Sequence, residues 1–589
     1  MSLSLICRWF TGVMIMMLVL SAGSLAVAQS LMPPNPHLPA DVRAAMQHEE
    51  GQRTGQWKHQ AHPVRDAGKR GVVNDPVSAP AQVLVSGTKQ MPCILMKFPD
   101  LANSYSATDF QALLFTDDGV PTGSARDYYT EVSFGQLALA GQVDGWYITA
   151  NNKAYYGDRT RRYAHCAYEA AQQADSTGFD WAPYDNDHDG YVDTLWVVHS
   201  GVGAEESGNT RTDIWSHSWD FASAGKGVFT TSTPDPYHPG TYLKINDYII
   251  QPETSYWSGG NGETQRIVGI GVFCHEFGHA LGLPDLYDTG GSGEGLGNAS
   301  LMAAGSWGGD GNDSRYPAHL DAWCKADLGW INPTLVTVDG NYTVNDIERS
   351  ATCYLVRPTN STVNQYFLVE NRQHYGYDST LFATGLFIYH IDTDIINRYS
   401  AANTVNSNSH AYGVALEEAD ATTDSYAAMH LFTGSNRGLS TDAWPAGMMA
   451  AFSSASTPST KTNAGAVQGC SITNIPVKSD AMTVAITVTA TNIAPVASSD
   501  RYSMMVGRTL TVRVPGLLKN DSDANNDPLT VLLASSPANG TVMLNADGSF
   551  TYKPAAGYIG TDTFTYQASD GNALSNLATV TITVAKKGK

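Results

Sequence analysis

The residue types and spacing at positions 275–285 could hold a catalytic metal ion. His275, Glu276, His279, Gly282 and Asp285 form the pattern HExxHxxGxxD. Residues four apart share one face of a helix, so the two histidines can present their imidazoles to the same zinc ion. Glu276 can then act as a base toward a metal-bound water, and Gly282 can turn the chain so that Asp285 becomes a third ligand.

Two other carboxylates compete for the third ligand position. Asp288 follows Asp285 closely, and either residue could merely close a turn, but the spacing favours Asp285. A thermolysin-like arrangement would instead use a glutamate from a second helix, and Glu294 is the nearest candidate. Glu294 lies in the glycine-rich stretch 290–297, which disfavours a helix. A bare HExxH could also be only a polar helix face, and the added Gly and Asp argue against that interpretation.

The flanking residues predict the elements that position this motif. Residues 267–274 are almost uniformly apolar and predict a buried helix that leads into His275. Met302 lies in the small-residue stretch SLMAAGSW at 300–307. Metzincin proteases place a methionine turn beneath their zinc, so Met302 is predicted to form such a Met-turn.

Further stretches resemble secreted bacterial metalloproteases of the immune inhibitor A type, a metzincin-like group. They are SARDYYTEVSFGQL at 124–137, DIWSHSW at 213–219, HLDAWCKADLGW at 319–330, YFLVENRQ at 366–373 and GLFIYHID at 385–392. The resemblance covers roughly residues 85 to 490. It implies a secreted zinc endopeptidase made with a pro-segment and acting on protein or peptide substrates. His275, His279 and Asp285 would be its zinc ligands and Glu276 its base. The resemblance does not indicate which substrate is cleaved.

The N-terminal residues predict export. Arg8 precedes an apolar run, and Ala26 and Ala28 form a small-x-small cleavage site, so residues 1–28 predict a secretory signal peptide. The apolar run is too short to span a bilayer well, and no other stretch approaches roughly 18 apolar residues, so no membrane span is expected. Residues 29–85, rich in Pro, Gln, His and basic residues, predict the pro-segment or linker of a zymogen.

Charge and cysteine content restrict partners and crosslinks. The net charge of −21 argues against nucleic acid or an anionic membrane as a partner. Cys7 would leave with the signal peptide, and the remaining cysteines are widely spread. Export permits disulfides, but the sequence does not resolve their pairing or the oligomeric state.

A second chemical motif is YDNDHDGYVD at 184–193. Carboxylates on alternate residues, followed by Gly190 for a sharp turn, match the start of an EF-hand-like calcium loop. Trp196 replaces the usual twelfth-position glutamate, so the ninth position would have to complete the shell. The predicted calcium ligands are Asp185, Asp187, Asp189 and Asp193. An Asx-rich surface turn is the alternative interpretation.

The pattern of elements predicts three folded units. An α+β metzincin-like catalytic domain is expected at 86–335, with a helix capped by Ser106 and Asp109, a helix at 163–174 and a buried strand at 194–199. An all-β domain packed on it is expected at 336–490, with short strands at 351–356, 366–369, 386–391, 414–416 and 482–488. Residues 493–585 predict a β-sandwich that resembles the cadherin-like repeats of bacterial surface proteins.

The C-terminal module leaves a rival function open. Asp521, Asp523 and Asp527 could bind calcium, with a plain Asp/Asn loop as the alternative. The module carries no catalytic constellation, so attachment or stability is its expected role. The whole chain could then be a calcium-dependent extracellular adhesin with an inactive protease-like domain. The intact Glu276 argues against this, because a relic site would be free to lose its base.

Overall fold

A computed structural model describes residues 85–586 together with a two-residue strand at 30–31. Gaps in the description fall at 158–161, 258–263, 290–292, 359–360, 362, 408–410, 423–430, 432–436, 447–449, 467, 489–493, 524–526 and 572. The predicted signal peptide at 1–28 lies outside the described residues. The same holds for the predicted pro-segment at 29–85, apart from the strand at 30–31 and residue 85.

The first region contains the metal-ligand motif, a mixed sheet and flanking helices. Its elements are β1 (Ser30–Leu31), β2 (Gly87–Lys97), α1 (Ala107–Phe115), α2 (Ala125–Val132), β3 (Leu137–Ile148), α3 (Lys153–Tyr156), α4 (Tyr163–Ser176), β4 (Tyr191–Val192), β5 (Leu195–Val202), α5 (Ala204–Ser207), β6 (His217–Asp220), β7 (Phe229–Pro234), β8 (Tyr242–Ile245), β9 (Asp247–Trp257), β10 (Thr264–Ile267), α6 (Ile270–Ala280) and α7 (Ala322–Asp327). Helix α1 begins after Ser106 as predicted. The Ser106 hydroxyl accepts from the N–H of Asp109, whose carboxylate accepts from the N–H of Ser106. This capping box satisfies two backbone donors that the helix itself leaves unpaired.

The main sheet separates two cores. Its described strands follow the order β1-β6-β9-β5-β2-β3, and β10 also pairs with β9. The pairs β9–β5, β5–β2 and β2–β3 are parallel, whereas β6 and β10 run antiparallel to β9 and β1 runs antiparallel to β6. Side chains alternate along β5, so Trp196 and Val198 face α6 while Leu195 and Val197 face α4. Strands β4, β8 and β7 form a small separate sheet.

The second region consists mainly of short strands. Its elements are β11 (Thr334–Leu335), β12 (Gly340–Asn345), β13 (Tyr354–Val356), β14 (Gln365–Arg372), β15 (Gly385–Asp392), α8 (Thr393–Tyr399), β16 (Val414–Leu416), β17 (Ser471–Thr473) and β18 (Ala481–Thr487). One sheet has the order β11-β13-β14-β15-β16 and another the order β12-β18-β17. Leu368 of β14 and Tyr389 of β15 belong to the same buried cluster as Phe273 and Phe277 of α6. The core around the metal-ligand helix therefore continues into this region.

The C-terminal module encloses a core of its own between two sheets. Its strands are β19 (Asp500–Met505), β20 (Leu510–Val512), β21 (Thr530–Ser535), β22 (Gly540–Leu544), β23 (Phe550–Pro554), β24 (Gly560–Ser569) and β25 (Ala578–Ala585). The sheets have the orders β19-β25-β24-β21 and β20-β23-β22. Phe564 and Tyr566 of β24 point inward toward Tyr552 of β23, while their neighbours along β24 are more exposed. This alternation is typical of a β-sandwich.

Two further observations bear on the expectations from sequence. Within the described part of the chain, no helix is both long enough and apolar enough to cross a bilayer. Every cysteine that the structure describes is buried and has a free thiol: Cys93, Cys166, Cys274, Cys324, Cys353 and Cys470.

Candidate metal centre

Helix α6 carries both histidines of the motif on one face. The whole helix is buried, because its apolar side packs on β5, where Phe273 and Phe277 contact the Trp196 ring. His275 and His279 are one turn apart, and their Nε2 atoms lie 3.2 Å from each other. The four-residue spacing therefore aims both imidazoles at one point, as the sequence predicts.

Asp285 completes a triangle of donor atoms with the two imidazoles. Gly282 adopts a φ of +96°, which lets the chain turn back after α6. Oδ1 of Asp285 lies 3.2 Å from Nε2 of His275 and 3.2 Å from Nε2 of His279. Around a tetrahedral zinc ion with bonds of about 2.0–2.1 Å, neighbouring donor atoms are about 3.3 Å apart. The three donor atoms thus fit one face of a zinc tetrahedron and leave the fourth position to water or substrate.

Hydrogen bonds on the far side of each ring direct its lone pair toward this triangle. Nδ1 of His275 lies 2.8 Å from the carbonyl oxygen of Leu301, and Nδ1 of His279 lies 2.8 Å from that of Leu283. A carbonyl only accepts, so each Nδ1 carries the proton and each Nε2 of a neutral ring is a lone-pair donor. Burial lowers the pKa of His275, which favours this neutral form. Two lone pairs and a carboxylate oxygen at 3.2 Å repel one another unless a cation lies between them.

Glu276 lies beside the ligands without being one of them. It is fully buried in α6, directly after the first histidine. It is absent from the donor set formed by the two histidines and Asp285. A buried carboxylate next to a metal-bound water is suited to accept and return a proton.

The competing carboxylates have other surroundings. Asp288 is buried beside the hydroxyl of Tyr412. Oε2 of Glu294 accepts a hydrogen bond of 2.8 Å from Nε of Arg437. Among the described residues, Asp285 is therefore the carboxylate that the structure brings to the two histidines.

Met302 packs against α6 at the motif itself. Its side chain is fully buried, and its carbonyl accepts a hydrogen bond of 2.7 Å from the N–H of Leu286. A Cβ atom at Gly278 would collide with Sδ of Met302. The glycine inside the HExxH motif therefore makes room for the methionine, which lies below the ligand helix.

A buried ion pair supports the loop that contains Met302, and nothing in the sequence indicated it. The guanidinium of Arg372 donates to both carboxylate oxygens of Asp378, at 2.8 and 2.6 Å, and also to the carbonyl of Ala299. The N–H of His319 donates to Asp378 at 2.9 Å, and the carbonyl of His319 accepts from the N–H of Leu301 at 3.1 Å. Leu301 is the residue whose carbonyl orients the first histidine of the motif.

Family comparisons agree with this geometry. Residues 96–331 match the family described as immune inhibitor A peptidase M6, catalytic domain, and the whole donor triangle lies within the match. The chain contains a peptidase M6 domain. The predicted family resemblance is thereby confirmed. Residues 492–583 match the bacterial Ig domain, so an Ig-like module follows the M6 domain along the chain.

Curated relatives share part of their length with this chain. The pre-pro-metalloprotease PrtV of Vibrio cholerae serotype O1 is 29% identical over 303 residues, which cover 43% of this chain and 31% of PrtV. Immune inhibitor A of Bacillus thuringiensis subsp. alesti is 29% identical over 240 residues, which cover 35% of this chain and 33% of the relative. The chain thus spans about a third of the length of these relatives. Among solved structures, the endo-fucoidan hydrolase MfFcnA4 of glycoside hydrolase family 107 matches over 20% of this chain and 22% of its own chain, at 16% identity and with a TM-score of 0.13.

The acidic loop of the M6 domain gathers three of its four predicted ligands. Asp185, Asp187 and Asp189 offer carboxylate oxygens within 4.8 Å of one another, and Asp193 is outside this set. Oδ2 of Asp193 instead accepts from the N–H of Asn186 at 3.2 Å. Burial raises the pKa of Asp185 and Asp187, and it raises the pKa of Asp193 to about 7. Desolvation therefore disfavours the crowded negative charges.

The predicted acidic site of the Ig-like module has a different arrangement. In the part of the chain that the structure describes, Asp521, Asp523 and Asp527 form no comparable set of ligand atoms. Asp521 accepts hydrogen bonds from the Tyr566 hydroxyl at 2.9 Å and from the N–H of Ser498 at 2.8 Å. These contacts are typical of a loop that is fixed to its own sandwich.

A third acidic group is formed by Glu418, Asp420 and Asp442, whose carboxylate oxygens lie within 4.8 Å of one another. Asp420 accepts from the Thr441 hydroxyl at 2.5 Å, and Asp442 from the N–H of Leu439 at 2.7 Å. The three residues are separated along the chain, so no local sequence pattern predicted their convergence.

Proposed function

We propose that the M6 domain is a zinc-dependent endopeptidase that hydrolyses peptide bonds of extracellular proteins. The observation that carries this proposal is the triangle of His275, His279 and Asp285, whose donor atoms are 3.2 Å apart on every side. Such a face fits zinc, which takes nitrogen and oxygen ligands and keeps one position open in catalytic sites. The family match and the name metalloprotease carried by PrtV support peptides as substrates.

In the proposed mechanism, His275, His279 and Asp285 hold the metal and Glu276 moves the proton. When bound, zinc polarises the scissile carbonyl and lowers the pKa of a coordinated water to about 7. Glu276 accepts the proton of the attacking water and transfers it to the leaving amine nitrogen. Proton transfer of this kind contributes typically about 10²- to 10⁴-fold to the rate. Because Glu276 is fully buried, its charge acts in surroundings of low dielectric constant.

We further propose that the site is metzincin-like, with Asp285 in the third ligand position and Met302 as the Met-turn. The left-handed Gly282 and the packing of Met302 against Gly278 support this arrangement. In metzincins the methionine turn follows the extended zinc motif and lies under the metal. The loop around Met302 follows the motif here and is buried throughout.

The chain is proposed to be exported as a zymogen, with a signal peptide at 1–28 and a pro-segment at 29–85. Strand β1 supports this, because residues of the proposed pro-segment pair with the main sheet: Ser30 lies opposite Ser218 and Leu31 opposite His217 in β6. N-terminal sequencing of the active extracellular form should give a start near residue 85. A fully active enzyme that begins at Gln29 would contradict the pro-segment.

We also propose that the acidic loop binds calcium. Asp185, Asp187 and Asp189 crowd three carboxylates together, and Gly190 adopts a φ of +89°, the sharp turn that such loops require. A cation would relieve their mutual repulsion. Since the loop leads directly into β5, binding would stabilise the entry to the main sheet.

Calcium should therefore raise the melting temperature of the catalytically inactive Glu276→Ala protein. Binding to the folded state alone stabilises it by about 2.7 kcal/mol at a hundredfold excess over Kd. The substitution Asp187→Asn should remove this shift, whereas the control Asp523→Asn in the Ig-like module should retain it. If the melting temperature did not respond to calcium, the acidic loop would be an ordinary Asx turn and not a calcium site.

Casein hydrolysis with matched metal analysis tests the enzyme proposal. The purified extracellular protein should hydrolyse casein and lose this activity with a zinc chelator. Glu276→Ala should abolish hydrolysis while zinc stays near one per chain, because Glu276 is a base and not a ligand. A zinc-loaded protein without proteolytic activity would instead favour the calcium-dependent adhesin.

A further inference from the structure

The turn that carries Asp285 is held by a segment far along the chain. After α8, residues Ser400–Ala402 form a short 3₁₀ turn that ends at Asn403. Asn403 adopts a φ of +52° and is 2% exposed. Asparagine is one of the few residues other than glycine that tolerate this left-handed conformation. The turn thereby places the Asn403 side chain against Asp285, 118 positions earlier in the sequence.

Both polar ends of the Asn403 amide contact Asp285. Oδ1 of Asn403 accepts the backbone N–H of Asp285 at 2.7 Å, and Nδ2 of Asn403 donates to Oδ2 of Asp285. A flipped amide would set two donors against each other, so the amide orientation follows from the contacts. With Oδ2 engaged, Oδ1 of Asp285 is the oxygen that lies 3.2 Å from both histidine Nε2 atoms.

Asn406 connects the same segment to the sheet of the second region. Its Nδ2 donates to the carbonyls of Leu286 and Val414 at 2.9 and 2.8 Å, and its Oδ1 accepts the N–H of Val414 at 3.1 Å. Asn406 is fully buried. Because Val414 begins β16, the segment 403–407 is braced by a strand while it contacts the ligand turn.

We infer that Asn403 is a positioning residue for the zinc site, and that the site is incomplete without residues beyond the M6 family match. This inference rests on the proposed function, because it takes Asp285 as a zinc ligand. A carboxylate fixed through one oxygen and its own backbone N–H loses the rotation that would carry its other oxygen away from the metal. Partners of this kind typically change metal affinity by about 10- to 100-fold. The family match ends at residue 331, whereas this partner lies at 403.

The decisive variant is Asn403→Gly, which keeps the left-handed backbone and removes the amide. Zinc affinity should fall roughly 10- to 100-fold in competition with a chelator of known affinity. The visible spectrum of the cobalt(II)-substituted protein should change, because the geometry of an oxygen ligand changes. Asn474→Gly is the matched control, since Asn474 is also left-handed, with a φ of +54°, but is exposed. It should leave both measurements unchanged.

A double variant separates positioning from general stability. If Asn403 acts through Asp285, then Asn403→Gly should weaken zinc binding no further in a protein that already carries Asp285→Ala. Melting of the zinc-free proteins measures the fold independently. Should zinc-free Asn403→Gly be unfolded, Asn403→Asp retains the shape and the acceptor for the Asp285 N–H but lacks the Nδ2 donor, and it should lower the affinity as well.

The outcomes distinguish a failure of the proposed function from a failure of the proposed role of Asn403. A wild-type protein that binds no stoichiometric zinc would overturn the proposed function and this inference with it. Wild-type zinc binding with unchanged affinity and cobalt spectrum in Asn403→Gly would overturn the inference alone. The inference would also be overturned if Asn403→Gly lowered zinc affinity equally in proteins with Asp285 and with Asp285→Ala. The loss of affinity would then reflect a change in the fold and not in the position of Asp285.

Discussion

Gly278→Ala tests whether Met302 packs against the ligand helix as the structure places it. A Cβ at position 278 would collide with Sδ of Met302 and lie 3.2 Å from its Cε. Met302 is fully buried, so its side chain has little space into which it can move. The substitution adds a single methyl group to α6, and Gly278 contributes no ligand atom of its own.

Two effects of opposite sign determine how much Gly278→Ala changes the free energy of unfolding. In a helix interior, alanine is about 1 kcal/mol more favourable than glycine. Inserting a methyl group into a close-packed core costs typically about 1–3 kcal/mol. We therefore expect Gly278→Ala to destabilise the protein by up to about 2 kcal/mol, despite the better helix former. At about 2–4 °C per kcal/mol, the melting temperature should fall by a few degrees.

The assay is thermal unfolding of zinc-loaded protein in the Glu276→Ala background, which prevents self-cleavage. Met302→Ala alone should cost about 2–5 kcal/mol, because it leaves a cavity. In that background Gly278→Ala should become neutral or stabilising, because the methyl group then fills part of the space. A Gly278→Ala protein that melts higher than its parent in both backgrounds would refute the packing of Met302 below the motif.

Three further predictions concern buried ionisable residues in the same structure. Asp285→Ala should lower zinc content and activity, whereas Asp288→Ala should leave the zinc content unchanged. If metal analysis showed zinc loss in Asp288→Ala but not in Asp285→Ala, Asp285 would not be the ligand. Arg372→Met should destabilise the fold by about 3–5 kcal/mol, because it leaves the Asp378 carboxylate buried without its partner, and unchanged urea denaturation would contradict this. Burial raises the pKa of Glu206 to about 8, so ionising it costs stability as the pH rises from about 4.5 toward 8. Glu206→Gln should therefore melt higher than its parent at pH 8 and equally at pH 4; a shift of the same size at both values would contradict the raised pKa.

The sequence predicted those elements that neighbouring residues determine. The Ser106 cap, the left-handed Gly282 and strand β16 at Val414–Leu416 all agree with the expectation. The apolar run 267–274 was expected to be helical throughout, but α6 begins at Ile270. The reason is tertiary, because Thr264–Ile267 extends the main sheet as β10 beside β9. An apolar run alone does not distinguish a strand from a buried helix.

The contacts that complete the site have no local signature. Arg372 lies in β14, and a charged residue in a strand is more often exposed than fully buried, so its bond to the carbonyl of Ala299 was not predictable. Asn403 follows a short turn of small and polar residues that resembles any surface loop. Asp193 has the regular spacing of a calcium ligand, but it lies outside the set of carboxylates formed by Asp185, Asp187 and Asp189, and its Oδ2 accepts from the N–H of Asn186. Spacing restricts which residues can meet, but the packing of distant elements decides which of them do.

The contacts between residues distant in sequence affect where the functional unit of the chain ends. Similarity places the end of the M6 domain at residue 331, and the sequence pattern places a boundary at 335. Hydrogen bonds cross both of these boundaries. Asn403 contacts Asp285, and Arg372 contacts Ala299 in the loop that leads to Met302. Hydrogen-bond partners that orient the ligands of a metal site typically change its metal affinity by about 10- to 100-fold. If both contacts act on the ligands, losing either of them would weaken zinc binding. The second region would then be part of the catalytic unit, although none of its described residues belongs to the donor set of His275, His279 and Asp285.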